Sequence, residues 1–71
     1  MLEAIKMLEY KFGLFPSKFL WRDHVYEVEA VNEVKTITQL DPAYHFWVRS
    51  QGQMFHLRYM VNTDLWALRY E

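Results

Sequence analysis

From Tyr44 to Tyr59, apolar and polar positions alternate on both sides of a single turn, the period-2 signature of two half-buried strands. Tyr44, Phe46 and Val48 alternate with His45, Trp47 and Arg49. Beyond the turn, Phe55, Leu57 and Tyr59 alternate with Met54, His56, Arg58 and Met60. Within Ser50-Gln51-Gly52-Gln53, Gly52 supplies the positive φ that a tight hairpin needs. With Gln51 and Gly52 as the loop, Val48 faces Phe55, Phe46 faces Leu57 and Tyr44 faces Tyr59. The other face then sets Trp47 against His56, His45 against Arg58 and Arg49 against Met54. A slip of one residue would oppose apolar to polar throughout, so register and pattern agree.

The rest of the chain is placed against this hairpin. Lys18 to Arg22 forms a strand with Phe19 and Trp21 on one face, and Asp23-His24 is the turn that follows. That turn sets Trp21 opposite Tyr26 and Phe19 opposite Val28, again apolar on apolar. The next strand is long, and its alternation through Tyr26 and Val28 breaks phase at Val31 before Val34 restores it. The break predicts a bulge or strong bend near Glu29 to Val31. Thr36 to Ala43, with Asp41-Pro42, reads as the longest loop. After Asn62-Thr63-Asp64, Leu65 to Tyr70 makes a fifth strand with Trp66, Leu68 and Tyr70 inward, and it is taken as a sheet edge. Residues 2 to 12 place Leu2, Ile5, Leu8 and Phe12 at helical spacing, with Gly13 as a cap and Pro16 as a stop, which predicts a short amphipathic helix. The alternative for this segment is an edge strand through Ile5 and Met7.

The expected architecture is mainly β. It is a curled five-stranded antiparallel meander, a small open barrel or folded sheet, with a short N-terminal helix or an extra edge strand. Residues 1–71 form a single small β domain. Its core is expected to be Phe19, Trp21, Tyr26, Val28, Phe46, Val48, Phe55, Leu57, Trp66 and Leu68.

Composition narrows the function classes. An apolar fraction of 52% with 18% aromatics lies well above that of disordered chains, so the chain folds. The 71 residues are near the size at which one core supplies only modest net stability, and self-association would help. Cysteine is absent, which removes disulfide frameworks and thiolate metal sites and fits a cytoplasmic protein. A formal net charge of −1 gives no overall basic field for nucleic acid, so only a local patch would serve. There is neither a long apolar run nor a signal-like N-terminus, so the chain reads as soluble and unprocessed, with no membrane partner.

Phe19-x-Trp21-Arg22, Tyr26-x-Val28, Phe46-x-Val48, Gly52-x-x-Phe55-x-Leu57 and Trp66-x-Leu68, in that order and spacing, resemble a family of small bacterial proteins of unknown function. The likeness runs from about Pro16 to Tyr70. Members carry a Gly-Arg-type turn where this chain has Asp23-His24, and a further tryptophan about where Val34 stands. Arginines common in their second strand are here Glu27 and Glu29. The resemblance implies no catalytic residues, and company with bacterial DNA-repair polymerases in some lineages.

No constellation for catalysis is legible. There is no Gly-x-Ser-x-Gly, no phosphate loop and no His-Glu-x-x-His, so an enzyme is not expected. His45 and His56 share one face of neighbouring strands, diagonal to each other, but no carboxylate in either strand joins them as a third metal ligand. They read as solvent-facing histidines, and neither metal nor cofactor is expected.

The candidate binding face lies opposite the core and gathers Arg22, His45, Trp47, Arg49, His56, Arg58 and Arg69. An outward tryptophan ringed by arginines suits an aromatic anchor at a protein interface or a platform for stacked bases, unless the N-terminal segment packs over it. Glu27 and Glu29 dilute the basic patch. A protein-interaction module therefore ranks first, with an unknown protein or a second copy (a homodimer) as partner. Weak single-stranded nucleic-acid binding through Trp47 ranks second, and a self-associating structural protein third.

Overall fold

Residues 2 to 12, expected to be helical, form a strand instead. The computed structural model describes residues 1–38 and 40–70. Its strands are β1 (Leu2–Lys11), β2 (Phe15–Trp21), β3 (His24–Glu27), β4 (Ala30–Ile37), β5 (Ala43–Ser50), β6 (Gln53–Met60) and β7 (Leu65–Arg69). In β1 the inward positions are Glu3, Ile5 and Met7, a period of two, and Ile5 and Met7 pack against the core. The strong helix propensity of this segment is overridden because β2 and β7 offer ladders on both of its sides.

All seven strands belong to one antiparallel sheet in the order β3-β2-β1-β7-β6-β5-β4. The strand count thus exceeds the five expected, because β1 joins the sheet and the long second strand is two strands. β7 is not an edge, since it lies between β1 and β6, and β1 is not one either. Among the described residues there is no helix, and so none that is long and apolar enough to cross a membrane.

The central hairpin has the register that alternation predicts: Val48 opposes Phe55, Phe46 opposes Leu57, Tyr44 opposes Tyr59 and Trp47 opposes His56. Its loop residues Gln51 and Gly52 both take positive φ, 52° and 72°, as a type I′ turn requires. The β2–β3 hairpin differs from expectation. Trp21 opposes His24 and Phe19 opposes Tyr26, because the loop is Arg22-Asp23, with φ of 51° and 64°. The register has moved by an even step, so the apolar face is kept. β4 reaches Ile37, which shortens the expected Thr36 to Ala43 loop, whose Gln39 lies outside the described residues.

The sheet curls into a half-barrel because one bent segment serves both of its ends. Val28 N–H donates to Ser17 O at 2.8 Å, continuing the β2–β3 ladder, while Glu29 N–H donates to Arg49 O at 2.8 Å, starting the β4–β5 ladder. The buried Ser50 hydroxyl donates to Glu27 O at 2.7 Å across the same junction. The strand breaks at Val28-Glu29, where the alternation predicts a bend near Glu29 to Val31, and the register shift falls just beyond, between Val31 and Glu33. The concave side holds the core of Phe19, Phe46, Val48, Phe55, Leu57, Trp66 and Leu68, with Trp21, Tyr26 and Val28 packed against it. Trp66 Nε1–H also donates to Tyr10 Oη at 3.0 Å, tying β7 to β1.

Candidate functional site

Inward positions of β5 are even-numbered, so the odd ones face out on the convex side, and antiparallel pairing lines them up across four strands. One row runs Glu33, Trp47, His56, Arg69, and the next runs Lys35, His45, Arg58, Ala67. Arg49 sits at the hairpin end opposite Met54. The geometry therefore brings together His45, Trp47, Arg49, His56, Arg58 and Arg69.

Arg22 does not join them. It stands in the β2–β3 turn, with its guanidinium carbon 4.6 Å from the Trp21 ring centroid and 5.0 Å from that of Tyr70, both of which lie on the core side. There it forms a two-pronged pair with Glu3, Nη2 to Oε2 at 2.9 Å and Nε to Oε1 at 3.1 Å. This pairing holds the Glu3 carboxyl below its ordinary range. Sequence spacing placed Arg22 on the outer face, but the left-handed turn swings it round the sheet end.

The centre of the convex face is an aromatic stack. The rings of Trp47 and His56 lie 4.4 Å apart at 16°, and His45 Nδ1 is 2.8 Å from His56 Nε2. The N-terminal segment does not cover Trp47, because it is built into the sheet between β2 and β7. The indole is half-buried by its neighbours instead, and the Lys35 ammonium lies 5.7 Å from its ring centroid. The histidines are likewise half-buried and bonded to each other rather than simply solvent-facing.

Positive charge surrounds this stack. Burial pushes the His45 imidazole below its ordinary pKa, and Arg58, Arg69 and Lys35 push it further. Burial does the same to His56, with His45, Arg69 and Arg58 adding to it. Among the described residues Arg49, Arg58 and Arg69 form no ion pair, while Lys35 pairs with Glu33 at 3.6 Å. Arg58 Nε and His45 Nε2 are buried without a hydrogen-bond partner. A cleft of about 380 Å³ opens at the sheet end beside the stack, lined by Trp47, His56 and Arg69 from the convex face and by Trp21, Phe55 and Tyr70 from the core side.

Lys35 and Glu33 were missed by sequence reasoning. Their signal was the outward phase on either side of Val34, legible only once that segment is paired with β5. Among the described residues no group of three or more His, Cys, Asp or Glu side chains converges to hold a metal. No family model, curated protein or solved structure matches this chain.

Proposed function

We propose that the convex face is a non-catalytic binding surface, and that its partner is a protein segment carrying carboxylates. The observation that carries this reading is the Trp47–His56 stack set among Lys35, Arg49, Arg58 and Arg69, three of which have no ion pair among the described residues. An aromatic body supplies contact area at low entropy cost, and guanidinium forks match carboxylates geometrically. The cleft at the sheet end, where Arg69 meets Tyr70, gives one end of such a segment a seat.

Protein ranks above nucleic acid for two physical reasons. Stacking a base on Trp47 means displacing His56 from one side or Lys35 from its neighbourhood. Lys35, Arg58 and Arg69 also span only two short rows that Glu33 interrupts, which suits a few carboxylates better than a continuous run of phosphates.

Tryptophan fluorescence tests the proposal when a glutamate-rich peptide and a mixed single-stranded oligonucleotide are titrated separately at low salt. Arg69→Glu is the control variant, because it keeps Trp47 as reporter. The expected result is a peptide-dependent change in the parent that Arg69→Glu loses, with little response to the oligonucleotide. A salt-reversible quench by the oligonucleotide alone would move the nucleic-acid reading to first place.

A further inference from the structure

Strand β4 carries an open edge that is complementary to itself. It pairs with β5 on one side only. Its Val31 to Val34 stretch borders a cleft of about 500 Å³ whose other wall includes Phe12, Phe15 and Pro16. Phe12 is 91% exposed, and Phe15 and Val34 are each 40% exposed. Unpaired main-chain donors and acceptors beside exposed apolar side chains form a template for a further strand.

The residues along the edge decide which strand fits. Regular pairing resumes at Glu33, after the bulge. If two copies of β4 run antiparallel about a two-fold axis through Val34, each Val34 meets its counterpart. Glu33 then meets Lys35 of the second copy, and Lys35 meets its Glu33. Glu33 and Lys35 lie in the convex rows of Trp47 and His45, while Val34 lies opposite Phe46 on the concave side. From Glu33 to Lys35 each opposed pair therefore shares a face, as antiparallel pairing demands, and the bulge before Glu33 limits the shared ladder to these positions. An axis through Lys35 would oppose lysine to lysine, and an axis between Val34 and Lys35 would oppose a valine to an ammonium group. Only the Val34 register matches both charge and face.

We propose that two copies of this chain join edge to edge through β4 in that register, forming one continuous sheet. The occupant of the β4 edge is thus a second copy, selected by the Glu33/Lys35 exchange and the Val34 contact. The pairing sets the two Trp47 rows side by side on one convex surface. It shares Lys35 with the acidic-partner reading but rests on the edge of the sheet and not on the stack, and its test reads dimerisation rather than peptide binding.

Sedimentation of the parent and of two charge reversals, Glu33→Lys and Lys35→Glu, tests the proposal. Both side chains are more than half exposed, at 54% and 65%, so the variants are expected to fold, and circular dichroism verifies this. The parent is expected to dimerise at micromolar concentration. Each reversal alone opposes like charges at both cross-strand positions and is expected to weaken dimerisation about tenfold or more. Mixing the two variants opposes two lysines to two glutamates, and a heterodimer as strong as the parent dimer is expected. The proposal is overturned if the parent stays monomeric at high micromolar concentration, if either reversal dimerises like the parent, or if the mixture remains monomeric.

Discussion

His45 Nδ1 and His56 Nε2 lie 2.8 Å apart across the β5–β6 pair, so the two rings share one proton between them. One ring donates and the other accepts. Charging both would set two N–H groups against each other beside Arg58 and Arg69.

This contact gives stability a pH dependence of definite sign. Both imidazoles have folded pKa values below the ordinary 6.5, first through burial and then through nearby cations. Above that value neither the folded nor the unfolded chain protonates them, and their contribution is fully present. As pH falls below it, the unfolded chain takes up protons that the folded chain refuses, and stability is lost until the pH has passed the depressed folded values. The urea midpoint is expected to fall between about pH 7 and pH 5 in the parent and to fall less in His45→Asn/His56→Gln. A parent midpoint flat across that window would show that the pair does not resist protonation. Glu3, depressed by Arg22, acts in a lower window: its contribution is present above 4.5 and is lost in more acid solution.

Ser50 is expected to govern the junction where the sheet curls. Its side chain is fully buried, and its hydroxyl meets Glu27 O beside the Glu29–Arg49 hydrogen bond. Ser50→Ala removes the donor without adding bulk and should cost about 1 kcal/mol, the range for one net hydrogen bond and a carbonyl left short of a partner. Amide exchange at Glu29 should accelerate by more than that at Leu57, which is central to the sheet. Equal acceleration at both sites would mean that the junction opens only with the whole domain.

The β2–β3 turn requires a left-handed backbone at two successive positions. Arg22 and Asp23 both hold positive φ without being glycine. Asp23→Gly is expected to raise stability by roughly 0.5 to 1 kcal/mol, and Asp23→Val to lower it by more than that, because a β-branched side chain is strained there. Urea midpoints compare the two directly, and a destabilised glycine variant would show that the Asp23 side chain, not its backbone, holds the turn.

That same turn marks where sequence reasoning stopped short. Alternation fixes faces, so the core from Phe19 to Leu68 and the outward set of His45, Trp47, His56 and Arg58 were legible from period 2 alone. The Gln51-Gly52 loop was legible because glycine announces a positive φ. Arg22-Asp23 carries no such signal, so the register moved by an even step and Arg22 left the predicted face. Pairing partners far apart in the chain were not legible either. Leu2, Ile5, Leu8 and Phe12 fit a helix until β7 and β2 take β1 in between. The bend at Glu29 was visible as a broken phase, yet nothing local showed that it separates strands at opposite ends of the sheet.

The β1–β7 ladder, in which Leu2 opposes Arg69, has a kinetic consequence. Strands β1 to β3 and β4 to β7 are each runs of neighbouring hairpins, whose main chains are joined to one another, among the described residues, by that ladder and by the bent segment at Val28-Glu29. Hairpins close short loops and form within microseconds, whereas bringing Leu2 to Arg69 closes nearly the whole chain. The two halves are therefore expected to acquire their turns early, with their docking, in which Ile5 meets Trp66, as the slow event.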